Sequence, residues 1–385
     1  MESGTRVVRA SGRSQALQAT WEFSCAWNRN AKEIWNISGL YTVDQRVGMS
    51  IRRFKGRATS MLLVSLMVPL HAAQQPPTWK DSSPHTTRFV TVDKDVRLEV
   101  LDWGGFGRPL VLLAGGGDTA HVFDDFAPKL TPSFHVYGIT RRGFGESGFS
   151  PEGYGADRLG DDVLAVLDAL NLKKPVLAGH SLGGEEMSSI ATRYPSRITG
   201  LVYLEAGYPY AFDNGKGPTM KEFQDLKNLA PQAPPPGGSA LASFAALQQA
   251  CLRGLGFTYP EGELRQQFST TSDGRVGKQR DFPGDAVMLQ GMKKYADIPV
   301  PALAIFAIPH AQGKWVNDST DPKVREAAKA FSAADLVLTT RQAKVFEDGV
   351  PTAHVVRLRG ADHYVYLSNE ADVLREMKSF LSTLR

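Results

Sequence analysis

The sequence predicts an α/β fold built on a mostly parallel sheet with helices on both faces. Short apolar segments alternate with amphipathic helical segments over most of residues 88–385. Strands that are separated by helices pair in parallel, and their helices cover the sheet. One apolar strand, 175–178, runs into Gly179-His180-Ser181-Leu182-Gly183 and then into a helix that starts from Gly184. This strand–turn–helix context places a serine hydroxyl on a sharp turn at a helix N-terminus.

Eight segments are predicted to be strands. The first two, 88–92 and 96–101, alternate polar and apolar residues, which predicts an antiparallel hairpin. The other six are mainly continuous apolar runs typical of buried parallel strands: 109–114, 134–139, 175–179, 201–204, 301–307 and 353–358. Helical spacing is found at 122–130, 159–170, after Ser181, within 322–346 and at 371–384.

The strand–helix alternation stops between residues 207 and 298. This stretch contains the turn-rich segment 230–238, with short helical patterns at 220–229 and 241–253. We therefore predict a helical cap, 207–298, inserted into a core formed by 88–206 and 299–385.

The first 73 residues differ in charge from the rest of the chain. They hold 10 Lys+Arg and 4 Asp+Glu, which leaves 34 Lys+Arg against 36 Asp+Glu after residue 73. No basic surface is therefore predicted for the folded part, and nucleic acid is not an expected partner. Only two cysteines occur, Cys25 and Cys251, so no disulfide framework is indicated.

The N-terminal region has the features of an export signal. A basic segment, 49–57, precedes a ten-residue apolar run at 61–70 and small residues at 72–73. This order is typical of a secretory signal peptide, and the run is too short for a stable membrane anchor. We predict a signal peptide at 49–73, a linker at 74–87, and a secreted or periplasmic protein. Residues 1–48 are interpreted as an upstream extension without a folded role.

A serine nucleophile requires a base, and the base requires an acid. His363 follows the last strand in Gly360-Ala361-Asp362-His363-Tyr364, at the sheet edge where Ser181 lies. The acid is less certain in the sequence, because the loop after strand 301–307 has no carboxylate before Asp318. Glu205 directly follows strand 201–204, and it is favoured as the acid, with Asp318 as the alternative.

Backbone N–H groups must stabilise the oxyanion that forms during acyl transfer. Leu182 follows the serine, and Gly116 lies in the Gly-rich loop after strand 109–114. We predict that these two residues donate. The loop Gly115-Gly116-Gly117-Asp118 lacks the spacing of a dinucleotide loop and the lysine of a phosphate loop. No metal-ligand spacing is recognised either, so neither a cofactor nor a metal is expected.

Together these residues resemble the α/β-hydrolase fold family, in the branch with a cap inserted after the sixth strand. The resemblance covers 88–385 and is most specific at 179–184, 142–147 and 361–363. It implies that Ser181 is the nucleophile, His363 the base, and Gly116 with Leu182 the oxyanion hole. Two departures are Ala114-Gly115 where many members have His-Gly, and the missing acid after the seventh strand. Some relatives, such as haloalkane dehalogenases, place the acid after the sixth strand, which suits Glu205.

The predicted activity is hydrolysis of a small-molecule carboxylic ester through an acyl-enzyme. Ser181 argues against dehalogenase and epoxide hydrolase chemistry, because those relatives use an aspartate nucleophile. A C–C hydrolase, an aminopeptidase, and a cofactor-free perhydrolase or haloperoxidase use the same triad and remain alternatives. A ligand-binding protein with little turnover is the alternative from another functional class.

Overall fold

An eight-stranded sheet forms the centre of the protein, as a computed structural model describes it for residues 79–384 apart from residue 235. Its strands are β1 (Thr86–Asp93), β2 (Val96–Gly104), β3 (Pro109–Leu113), β4 (His135–Ile139), β5 (Val176–His180), β6 (Gly200–Leu204), β9 (Ala302–Ala307) and β10 (Ala353–Leu358). The order is β1-β2-β4-β3-β5-β6-β9-β10. Only the pairs β1–β2 and β2–β4 of this sheet are antiparallel. The predicted α/β fold with a mostly parallel sheet is confirmed.

Helices pack on both faces of this sheet. They are α1 (Ala156–Ala169), α2 (Gly183–Arg193), α6 (Lys314–Asp318), α7 (Pro322–Gly349), α8 (Val365–Ser368) and α9 (Glu370–Thr383). Helices α1, α2 and α7 share one hydrophobic cluster with one face of the sheet, whereas α9 packs on the opposite face. Within residues 79–384, no helix combines the length and the apolar character that crossing a membrane requires.

A separate group of elements lies between β6 and β9. It consists of α3 (Met220–Lys227), α4 (Phe244–Leu255), α5 (Glu261–Gln267) and the antiparallel hairpin of β7 (Phe268–Thr270) and β8 (Val276–Gln279). The sequence analysis predicted α3 and α4 but neither α5 nor the hairpin. The hairpin signal was Asp273-Gly274, with Gly274 at a φ of 83°. Because β7 and β8 are only 3 and 4 residues long, they showed no clear alternation.

The predicted helix over 122–130 is wrong. Two single 3₁₀ turns, Ala120–Phe123 and Ala127–Lys129, occupy this segment. Pro128 has no N–H to donate, so it cannot continue a helix from residue 122. The linker is also shorter than predicted, because β1 begins at Thr86. The upstream extension (1–48) and the signal peptide (49–73) lie outside the described residues, and secretion stays a prediction.

Candidate active site

Ser181 lies on the sharp turn between β5 and α2, as its motif predicts. Its φ is 47°, a left-handed conformation that is strained for a serine. A Cβ atom added to Gly179 would lie 2.7 Å from the carbonyl carbon of Gly183, so a side chain at 179 would collide with the start of α2. The close approach of strand and helix holds Ser181 in its strained position.

Glu205 and His363 meet beside this serine. Glu205 follows β6 and is fully buried, and its Oε2 accepts a hydrogen bond from Nδ1 of His363 at 3.1 Å. Since Nδ1 donates to Glu205, Nε2 is the nitrogen of His363 that can accept a proton. Ser181, Glu205 and His363 line one cavity. Asp318, the alternative acid, lies apart from them at the end of α6, where its exposed carboxylate pairs with Lys314.

A second histidine, His310, lies on the far side of Glu205. Its Nε2 is 2.7 Å from Oε2 of Glu205, and its Nδ1 is 2.8 Å from Oδ1 of Asp335. Asp335 also accepts the backbone N–H of His310 at 2.8 Å. Burial alone would lower the pKa of His310, but the two carboxylates raise it well above its usual value. His310 is therefore an imidazolium held between two buried anions.

The Glu205 carboxylate is ionised because a positive charge and hydrogen-bond donors surround it. Burial opposes its charge, but the positive charge of His310 and the hydrogen bonds from both histidines lower the pKa of Glu205 to about 2. The N–H of Ala307 donates to Oε1 at 2.6 Å, and the Tyr208 hydroxyl donates to Oε2 at 2.8 Å. All four donors fix the orientation of the carboxylate that faces His363.

The loop after β3 lies directly against Ser181. A Cβ atom on Gly115 would be 3.2 Å from Cβ of Ser181. Arg141 donates to the carbonyl oxygens of Gly115 at 3.0 Å and of Ala114 at 3.1 Å. In a trans peptide the N–H is opposite the C=O, so the Gly116 N–H points away from Arg141. Leu182 is the N-cap of α2, where N–H groups lack intrahelical partners.

The inserted segment also holds this loop. The Gln267 side chain of α5 donates to the carbonyl oxygen of Gly117 at 2.6 Å. The Thr119 hydroxyl donates to Glu263, also of α5, at 2.5 Å. The loop is thus bound by the core through Arg141 and by the inserted segment through α5.

His180 contacts the backbone of His363. It is buried, and burial together with the neighbouring His363 lowers its pKa well below the usual value, so the ring is neutral. Its Nε2 is 3.1 Å from the carbonyl oxygen of His363, which only accepts, so Nε2 carries the proton. Because its ring bonds the backbone of His363, His180 has a packing role in this structure.

The cavity at Ser181 is small and mainly apolar. Its volume is about 50 Å³, room for a few water molecules. The inserted segment contributes Lys227, which is only 5% exposed. Ten residues line the cavity: Ser181, Glu205, Tyr208, Tyr210, Met220, Phe223, Gln224, Lys227, His310 and His363.

Comparison with known proteins agrees with this geometry. Residues 108–286 match the family described as the alpha/beta hydrolase fold. The eight-stranded sheet and the serine turn are those of the same fold. The chain has the α/β-hydrolase fold.

Several relatives are hydrolases by name. The AB hydrolase superfamily protein YisY of Bacillus subtilis (strain 168) is 35% identical over 148 residues, 37% of this chain and 53% of that protein. The 2-(acetamidomethylene)succinate hydrolase of Mesorhizobium japonicum is 25% identical over 280 residues, 72% of this chain and 89% of that protein. The crystal structure of an E-2-(acetamidomethylene)succinate hydrolase has a TM-score of 0.52 and 18% identity, with 77% of this chain and 99% of that chain covered. The chain thus spans only about half of YisY.

The sequence analysis did not identify His310, Asp335 or Arg141 as residues of the site. His310 lies in the loop after strand 301–307, where a carboxylate and not a histidine was expected. A signal existed, because two histidines after two neighbouring strands of one sheet edge can share one acid. Glu205, His310 and His363 also place three ligand atoms within 4.8 Å. The ring nitrogens of His310 pair with Glu205 and Asp335, so the three groups form a hydrogen-bond chain that ends on His363.

The charge of His310 predicts a pH-dependent contribution to stability. The lowered pKa of Glu205 stabilises the fold above its ordinary value of 4.5 and loses effect as the pH falls toward about 2. The raised pKa of His310 stabilises below 6.5 and loses effect as the pH rises through the raised value. We expect His310→Gln, which keeps a donor but removes the charge, to lower the free energy of unfolding most between pH 4.5 and 6.5, where both contributions are complete.

Urea unfolding at about pH 3, 5.5 and 9 measures this difference. His354→Gln is the matched control, because His354 is an exposed histidine on β10. A destabilisation by His310→Gln that is equal at all three pH values would show that the charge is not its cause.

Proposed function

We propose that the protein is a serine hydrolase that cleaves a carboxylic ester through a Ser181–His363–Glu205 triad. The contact between Glu205 and His363 beside Ser181 carries this proposal, because it fixes the tautomer in which the base can take the serine proton. The family match and the hydrolases among the relatives of this chain support the reaction class.

In this reaction Ser181 Oγ attacks the carbonyl carbon of the ester while His363 Nε2 takes its proton. The N–H groups of Gly116 and Leu182 stabilise the oxyanion of the tetrahedral intermediate. The intermediate collapses, His363 returns the proton to the leaving alcohol, and the acyl group stays on Ser181. Water, with its proton taken by His363, then attacks the acyl-enzyme. The second tetrahedral intermediate collapses, His363 returns the proton to Ser181 Oγ, and the carboxylic acid is released.

Reactivity of Ser181 is the direct test of the proposed function. We expect a fluorophosphonate probe to label the wild type at Ser181 and to leave Ser181→Ala unlabelled, because only an activated serine attacks the probe. Mass spectrometry of the labelled peptide identifies the residue. Absence of labelling in the folded wild type would contradict the enzyme function. Labelling without turnover of p-nitrophenyl acetate and butyrate would favour one of the alternative activities or a binding role.

Substitution of the two candidate acids separates them. Glu205→Gln keeps the shape but removes the charge that orients and supports the imidazolium of His363, so we expect kcat to fall about 10³–10⁴-fold. Asp318→Asn changes an exposed carboxylate paired with Lys314, so we expect a change of about twofold or less. Steady-state kinetics on p-nitrophenyl butyrate measure both. Near-normal turnover in Glu205→Gln with a collapse in Asp318→Asn would refute the proposed acid.

A further inference from the structure

A second cluster of histidine and aspartate side chains, of the kinds that can bind a metal ion, lies outside the Ser181 cavity. Asp81 and His85 come from the segment before β1, and His121 and Asp124 come from the 3₁₀ turn after β3. Each residue offers one ligand atom, and these four atoms lie within 4.8 Å of one another. None of them lines the cavity at Ser181 or takes part in the proposed reaction.

The distances within this cluster suit a small cation. Nδ1 of His121 is 2.9 Å from Oδ2 of Asp124 and 3.3 Å from Oδ2 of Asp81. Nδ1 of His85 is 3.1 Å from Oδ1 of Asp124, and its Nε2 is 4.0 Å from Oδ2 of Asp81. Ligands about 2.0–2.2 Å from a tetrahedral zinc ion are about 3.3–3.6 Å apart. The two separations from Nδ1 of His121, 2.9 and 3.3 Å, are close to that range. His85 faces Asp124 and Asp81 through different ring nitrogens, so its side chain would have to shift to present one nitrogen to the ion.

One atom of the cluster points to a missing ligand. Oδ2 of Asp81 is closed off from solvent, and its nearest donor, Nδ1 of His121 at 3.3 Å, is shared with Oδ2 of Asp124 at 2.9 Å. A buried carboxylate oxygen with only a shared donor is poorly compensated, and a bound cation would satisfy it.

The backbone of α5 closes the site. A Cβ atom on Gly262 would lie 2.5 Å from Oδ2 of Asp124, 3.0 Å from Oδ2 of Asp81 and 3.1 Å from Nδ1 of His121. Any larger residue at 262 would therefore occupy the space between the ligands. Behind the cluster, Nε2 of His121 faces Oε1 of Glu99 at 3.6 Å, which is the outer-shell carboxylate that a ligating histidine usually has.

We propose that Asp81, His85, His121 and Asp124 form a structural zinc site. Two imidazole nitrogens with two carboxylate oxygens suit Zn²⁺, whereas Ca²⁺ and Mg²⁺ prefer oxygen ligands alone. Four protein ligands leave no open position, which is typical of a structural ion. The ion would fasten the segment before β1 to the core, next to α5 of the inserted segment.

Zinc binding tests this site directly. The full chain is stripped with a chelator and titrated with ZnCl₂ by calorimetry, and its melting temperature is measured with and without the ion. We expect one high-affinity equivalent per chain that Asp81→Asn and His85→Ala each weaken tenfold or more. We also expect a rise of about 5 °C in Tm at 100-fold excess of zinc over Kd. CaCl₂ should produce neither effect.

The controls separate this site from other zinc ligands. His354→Ala removes an exposed histidine and should bind zinc as the wild type does. Circular dichroism verifies that the isosteric Asp81→Asn variant is folded. The proposal is overturned if the wild type binds no stoichiometric zinc, or if binding survives in Asp81→Asn and His85→Ala. Loss of binding in His363→Ala alone would assign the ion to the Ser181 cavity instead. Since no readout is hydrolysis, the result is independent of the proposed function.

Discussion

The buried charge of Glu205 is the constraint on which the candidate site depends. A carboxylate with no exposed surface is costly unless charge and hydrogen bonds compensate it. Here the compensation comes from the His310 imidazolium, the Tyr208 hydroxyl, the Ala307 N–H and His363. His310 is in turn balanced by Asp335. The orientation of His363 therefore depends on the chain Asp335–His310–Glu205 and not on Glu205 alone.

The sheet brings Ser181 and Glu205 together. His180 pairs with Leu204 on the neighbouring parallel strand, so Ser181 and Glu205 are the next residues on two adjacent strands. The N–H of Ser181 bonds the carbonyl of Leu204 at 3.2 Å, which extends the ladder to the serine. Both residues have left-handed backbones, with φ of 47° and 52°. Such strain persists only where the surroundings over-determine it, as the packed glycine turn and the buried hydrogen bonds do here.

The sequence was sufficient for the parts of the site that follow from strand order. Ser181 and Glu205 come directly after parallel strands, and His363 lies in the loop after β10, so topology alone predicts that they share an edge. Asp335 could not be predicted in this way, because it lies in the middle of a 28-residue helix and its contact depends on how that helix packs. The side chains of the proposed zinc site show no recognised spacing in the sequence. Asp81 and His85 lie in the segment interpreted as a linker, Asp124 lies in the segment interpreted as a helix, and His121 directly precedes that segment.

The loop after β3, which carries the proposed oxyanion donor Gly116, is held by the inserted segment as well as by the core. Arg141 bonds two carbonyls of this loop and also Glu186 of α2, the helix that follows Ser181, at 2.5 Å. From the opposite side, α5 bonds Gly117 and Thr119. The loop is therefore positioned jointly by the nucleophile helix and by the inserted segment. Because Gly262 of α5 also lies against the proposed zinc site, a displacement of α5 would affect that site and the loop that carries the proposed oxyanion donor Gly116. Changes in α5 should thus alter the chemical step, and not substrate affinity alone.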